Sequence, residues 1–73
     1  MIITTVRNNK LFIQLDRLVK NGSIRVNGEN GFEVQRDIED SEFEVFDLPA
    51  YVKTIHLLIS IDNEKTIAKS INT

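Results

Sequence analysis

The 73-residue chain has no cysteine and no tryptophan, and it has only one histidine, one proline and three glycines. Without cysteine, neither disulfides nor thiolate metal ligands can hold a small fold together, so stability has to come from packing or from a partner. The single histidine, His56, cannot make a zinc site alone. No serine stands at a spacing from it that resembles a nucleophile and its base. His56 therefore reads as an ordinary strand residue. The glycines do not form a phosphate-cradling loop, because each follows an asparagine in a turn between short apolar segments. The longest apolar run, Ile55 to Ile61, is interrupted by His56 and Ser60 and falls well short of the ~20 residues of a membrane span. The opening Met-Ile-Ile-Thr-Thr-Val-Arg has neither the basic start nor the ~7–15-residue apolar stretch of a secretory leader. A virion-associated or cytoplasmic location is expected, unless the chain is a domain cut from a secreted protein.

A chain of this length forms one domain, residues 1–73, and such a domain buries only about 60% of the surface its unfolded form exposes. That leaves little room for a roofed-over active site, and no cofactor is expected. The net charge is −2, which gives no case for nucleic-acid binding by bulk electrostatics. The distribution is more informative: residues 1–30 sum to +3, residues 31–50 to −6 and residues 51–73 to +1. The carboxylates from Asp37 to Glu44 do not follow the spacing of a calcium-binding loop. They read either as a solvated connection or as an electrostatic docking patch, with Glu39, Asp40 and Glu42 as its candidate contacts.

What is abundant is period-2 alternation. In Ser23 to Arg36, Ile24 and Val26 point one way before an Asn/Gly-rich turn, and Phe32 and Val34 point the same way after it. Arg25, Glu33 and Gln35 take the other face, the pattern of a half-buried antiparallel hairpin turning through Gly28 to Gly31. The β-branched Ile2 to Val6 predicts a first strand at an edge, and Leu11 to Leu15 predicts a second, with Phe12 facing outward. Asp16 to Gly22 reads as a loop, Asp37 to Ser41 as a polar crossing, and Glu42 to Phe46 as a fifth strand with Phe43 and Val45 inward. Pro49 ends it. Tyr51 to Ile61 predicts a central strand carrying Ile55, Leu57, Ile59 and Ile61 on one face. Thr66 to Ile71 closes the set, with Lys69 between the inward Ile67 and Ile71. Seven short strands without a helix predict a small antiparallel Ig-like β-sandwich, with an open barrel as the second choice.

Several segments in their order carry a family likeness: Leu11-Phe12-Ile13, Gly22 to Asn27, Glu29 to Val34, Phe43 to Ala50 and Glu64 to Ile71. Together they resemble the C-terminal sorting domain of type IX secretion in Bacteroidetes, over about residues 11 to 73. The resemblance implies a small Ig-like sandwich with a hairpin turn containing Asn-Gly, a leucine-proline-alanine segment before a long strand and a lysine-bearing last strand. It also implies a module that other machinery recognises, not an enzyme.

The functional expectation is a non-catalytic module that docks onto a larger protein assembly, such as a virion or cell surface. The alternative is a small acidic regulator that binds a basic protein surface. The outward residues Phe12, His56 and Leu58, with the acidic Glu39, Asp40 and Glu42, are the candidate contacts, and the partner could be a second copy of the chain.

Overall fold

The hairpin expected at Ser23 to Arg36 is the tip of a much longer one. The computed structural model describes residues 1–73 and contains five strands: β1 (Ile3–Arg7), β2 (Lys10–Gly28), β3 (Glu33–Asp47), β4 (Thr54–Ile61) and β5 (Lys65–Asn72). All neighbouring pairs are antiparallel, and all five strands belong to one sheet. The all-β, antiparallel expectation holds. The seven-strand count and the two facing sheets of a sandwich do not: the architecture is a single curled sheet, a half-barrel.

Two segments taken for connections are strand. Asp16 to Gly22 lies inside β2, and Asp37 to Ser41 lies inside β3. Polar residues dominate both, yet each buries one apolar side chain, Val19 and Ile38, while Leu18 beside Val19 stays half exposed. β2 and β3 pair from Lys10↔Asp47 to Asn27↔Glu33, with a register shift between Gln14 and Val19 that leaves β2 with extra residues. Such an insertion bends the bulged strand and raises its local twist. It also changes which positions of β2 face the core, from Leu11, Ile13 and Leu15 before the bend to Ile24 and Val26 after it.

The bend lets one long strand serve two neighbours in turn. Residues Lys10–Gln14 of β2 pair with β1 on one edge and β3 on the other, while Gly22–Gly28 pair with β4 and β3. β5 then adds outside β4. β4 is thus interior, as expected for the longest apolar pattern. The free edges belong to β1, β3 and β5.

The tight connections follow turn chemistry. Asn8 and Asn9 both take left-handed backbone, with φ of 52° and 61°, which suits a two-residue hairpin loop between the paired Arg7 and Lys10. The central turn is a 3₁₀ turn over Glu29–Gly31, in which Asn30 and Gly31 have positive φ. It is closed by the Gly28 amide on the Phe32 carbonyl at 2.8 Å. Asp62 and Asn63 do the same between β4 and β5.

The core consists of 14 buried residues, all apolar. The crossing from β3 to β4 contributes Leu48 and Val52 and is tied down at Leu48, whose amide reaches the Asn9 carbonyl at 2.8 Å. One sequence expectation is reversed in β3. Phe43 and Val45 face outward, and Phe46 is the buried aromatic. Counting inward positions from a break at Ser41 gave the wrong phase, because β3 continues through that residue. Glu44 shares the inner side with Phe46, where Arg36 takes its carboxylate at 3.1 Å and lies 4.1 Å from the Phe46 ring centre. A charged pair at the rim thus occupies positions that alternation alone would fill with apolar residues.

Candidate functional site

The residues singled out by sequence fall in three places. His56 and Leu58 are on the outer face of β4, exposed, with the His56 ring 2.9 Å from the Ser70 hydroxyl across the β4–β5 ladder. Leu58 sits opposite Arg25 and Ala68. Phe12 lies on the other side of the β2 bend and shares no patch with them. Glu39, Asp40 and Glu42 are on β3. No three His, Asp or Glu side chains converge to hold a metal ion, and no ionisable side chain is buried.

Around Phe12 the register builds a three-by-three patch. Arg7, Lys10 and Asp47 form one row across β1, β2 and β3, Thr5, Phe12 and Val45 the next, and Ile3, Gln14 and Phe43 the third. Phe12 and Phe43 stack with ring centres 6.2 Å apart and planes at 28°. Ile3 and Phe43 are each 51% exposed. A shallow depression lined by Thr5, Arg7, Phe12 and Phe43 lies over the stack. Sequence reading found Phe12 but missed Phe43, which it placed in the core.

Family models, curated proteins and solved structures give no match to this chain. The functional reading therefore rests on the geometry. No helix is long and apolar enough to cross a membrane.

The carboxylates separate into engaged and free. Of the eleven, Asp16, Glu33, Glu44, Asp47, Asp62 and Glu64 each have a cationic side chain within 4.0 Å. Glu29 is held by backbone. The remaining four, Asp37, Glu39, Asp40 and Glu42, have neither a cation nor an amide donor, and they follow one another on β3. Asp37 and Glu39 pair with Ser23 and Asn21 and border a shallow polar hollow that Ser60 and Asn63 complete. Asp40 takes left-handed backbone, φ 48°, which breaks the strand's regularity at that point. Beyond it, the carbonyls of Phe43 and Val45 are taken by the Ser41 hydroxyl at 3.0 Å and by Arg36 at 2.8 Å.

Two acidic side chains do structural work instead. The Glu29 carboxylate accepts the amides of Lys53 and Thr54 at 2.7 and 2.6 Å, fixing the start of β4 to the central turn. The Thr54 amide, then that of Lys53, hold its carboxyl below the usual range. At the far end of β4, Asp62 accepts the amides of Lys20 and Asn21 at 3.0 and 2.9 Å, and its own amide reaches the Asn21 carbonyl at 2.6 Å. Arg17 lies 3.6 Å from the same carboxylate. The Asp62 side chain thereby satisfies β2 amides just beyond the point where the β2–β4 ladder ends, at Gly22↔Ile61.

Proposed function

We propose that the chain is a non-catalytic protein-binding module that presents β3 to a basic protein surface. The observation that carries this reading is the confinement of all four free carboxylates to Asp37, Glu39, Asp40 and Glu42, when every other acid in the chain is already engaged. Free charges on one strand set a local negative potential that neighbouring cations do not cancel, and such a field selects and steers partners of opposite sign. The strand also has no neighbour on its outer edge, so a partner can approach it without displacing any part of the chain. A module read by other proteins, as the resemblance to the sorting domain implies, is the same class of object. The reading serves a component seated on a larger assembly as well as a free acidic regulator.

The test is an amide-shift titration of the labelled protein with a synthetic peptide of alternating lysine and glycine at low salt. Shifts are expected at residues 37–40 and at their β2 partners Asn21 and Ser23, fading as salt rises past about 0.15 M, where charges beyond ~8 Å are screened. Charge reversal of Asp37 and Glu39 to lysine should abolish them. Equal shifts at Glu33, Asp47 and Glu64, or shifts that survive the reversal, would refute the site.

A further inference from the structure

We infer that the open half of the β3 edge, Glu33 to Glu39, takes up an extended segment of another protein as an added antiparallel strand, with basic side chains opposite Asp37 and Glu39. The inference rests on the acidic strand proposed above and adds how its partner is held. The Gly28 amide donates to the Phe32 carbonyl, so the main chains of Gly28 and Phe32 face each other at the closed end of the hairpin. Main-chain direction alternates along an antiparallel strand. From Phe32 onward, the unbroken register therefore turns the main chains of Val34, Arg36 and Ile38 towards β2, and those of Glu33, Gln35, Asp37 and Glu39 towards the empty side. The other end agrees. The Asn21 carbonyl accepts the Asp62 amide, so the main chain of Asn21 is turned to the β4 side and away from its β3 partner Glu39.

The two halves of the edge differ. Beyond Asp40, the outward carbonyls of Phe43 and Val45 are taken by Ser41 and Arg36, whereas no side chain takes those between Glu33 and Glu39. An unpaired row of amides and carbonyls is a template for another strand, in which main-chain bonds give affinity and alternate side chains give specificity. The residues with outward main chains are also those with side chains on the outer face, because Ile38 between them is buried. In an added antiparallel strand, the residues opposite Asp37 and Glu39 stand on that face with Cα atoms ~5.5 Å away. Cations there meet the two free carboxylates. The residue between them turns inward beside Ile38 and is apolar. The chain's own edges do not supply such a strand. Two β3 edges related by a two-fold through Ile38 would set Asp37 against Glu39, like charge against like. On the free edges of β1 and β5, the outward main chains belong to Thr4, Val6, Thr66, Ala68, Ser70 and Asn72, none of them a cation. Charge complementarity thus selects a basic segment of a different protein.

The test uses the whole chain at low salt with one peptide, acetyl-Lys-Val-Lys-Thr-Thr-Val-Thr-amide, and two N-methylated forms of it. Laid antiparallel to β3 with its lysines opposite Glu39 and Asp37, the peptide aims both lysine amides at β3 and both valine amides away from it. Methylating the lysine amides keeps the charge but removes two main-chain hydrogen bonds, and should weaken binding about tenfold or more. Methylating the valine amides should leave the affinity nearly unchanged. Hydrogen exchange gives a second readout. In the free chain the amides of Val34, Arg36 and Ile38 should exchange slowly and those of Gln35, Asp37 and Glu39 fast. With peptide at about ten times its Kd, the fast three should slow about tenfold. Equal effects of the two methylations, the inverse pattern, or exchange at Asp37 and Glu39 unaltered by bound peptide would overturn the added strand. Shifts with the lysine–glycine peptide would in that case still place binding on the acidic strand, whereas failure of both peptides to bind would overturn both readings.

Discussion

Gly22 offers a sharp test of how β2 is held, because two general effects predict opposite signs for its replacement by alanine. Glycine inside a strand is worse than alanine by roughly 0.5–1 kcal/mol through backbone entropy, so Gly22→Ala should stabilise the chain if space allowed. It does not. A Cβ built at Gly22 overlaps the Ser60 carbonyl oxygen, far inside the 3.0 Å that real Cβ atoms respect, and also meets the Ser60 carbonyl carbon and a Val19 methyl at 3.3 Å each. The obstacle is backbone, so rotating a side chain cannot relieve it. Gly22 pairs with Ile38 on one side and Ile61 on the other, so β2 cannot move away from β4 without compressing or shearing its ladder with β3. A shift on the order of an ångström takes a ladder bond out of hydrogen-bonding range. Losing two such bonds at about 1 kcal/mol each, with about 1–3 kcal/mol of overpacking strain, outweighs the entropy gain. The net expectation is a loss of about 2–4 kcal/mol, a large part of the roughly 4–11 kcal/mol that a chain of this size has in total. In urea, with a slope near 1 kcal/mol/M for a small domain, the midpoint should fall by about 2 M or more, or the variant should fail to fold. Gly31→Ala is the control: nothing lies within 4 Å of its added Cβ, but φ is +78°, so it should lose only about 1–2 kcal/mol of left-handed strain. A Gly22→Ala midpoint at or above wild type would show that β2 and β4 are not in this close contact.

Asp62→Ala removes the acceptor of two amides and leaves alanine at a φ of 46°. It should cost about 2–3 kcal/mol, whereas Asp62→Asn, which keeps an acceptor and tolerates that backbone, should cost under about 1 kcal/mol by the same urea assay. Stability should also fall in acid. Amides lower the carboxyl of Glu29, and the Lys10 side chain lowers that of Asp47, from ordinary values of 4.5 and 3.8. Their contributions are complete above those values and disappear as pH drops through the lower folded ones. Glu29→Gln should therefore flatten the stability–pH curve below about pH 4.5, and a curve of unchanged steepness would show that the Lys53 and Thr54 amides do not hold that carboxylate.

The parts of this fold that sequence reveals are those set by neighbours along the chain. The Gly28–Gly31 turn, the faces of Ile24, Val26 and Val34, the outward Phe12 and the interior β4 all follow from alternation and from asparagine and glycine at turns. The bends do not. Asp16 to Gly22 and Asp37 to Ser41 look like loops because polar residues outnumber apolar ones, yet Val19 and Ile38 are fully buried. What keeps the chain in the sheet there comes from distant residues: Asp62 supplies acceptors to the amides of Lys20 and Asn21 from 41 to 42 positions away. The inversion of Phe43 and Phe46 has the same origin, since the Arg36–Glu44 pair at the rim makes sense only once β3 is one strand. The free or engaged state of each carboxylate is likewise a property of the folded chain, and it alone separates Asp37, Glu39, Asp40 and Glu42 from the engaged Glu33, Glu44 and Asp47 of the same acidic stretch.

A half-barrel with three free edges needs protection from unwanted pairing, and this requirement bears on what the acidic strand can be. β5 has an inward-register lysine, Lys69 opposite Leu57, a recognised means of discouraging a further strand. On β3, the half beyond Asp40 is guarded differently, by Arg36 and Ser41 on the carbonyls of Val45 and Phe43. Asp40 adds a left-handed kink between the two halves. Edge protection alone would be satisfied by any of these devices, and Glu33, already paired with Arg25 at 3.7 Å, shows that nearby acids can be neutralised within the chain. Leaving Asp37, Glu39 and Asp40 without cations sustains a self-repulsion that folding does not require, because no backbone amide or cation of the chain uses them. Their joint replacement by glutamine should therefore raise stability slightly while removing affinity for the lysine–glycine peptide, a separation of stability from binding that a purely protective role would not produce.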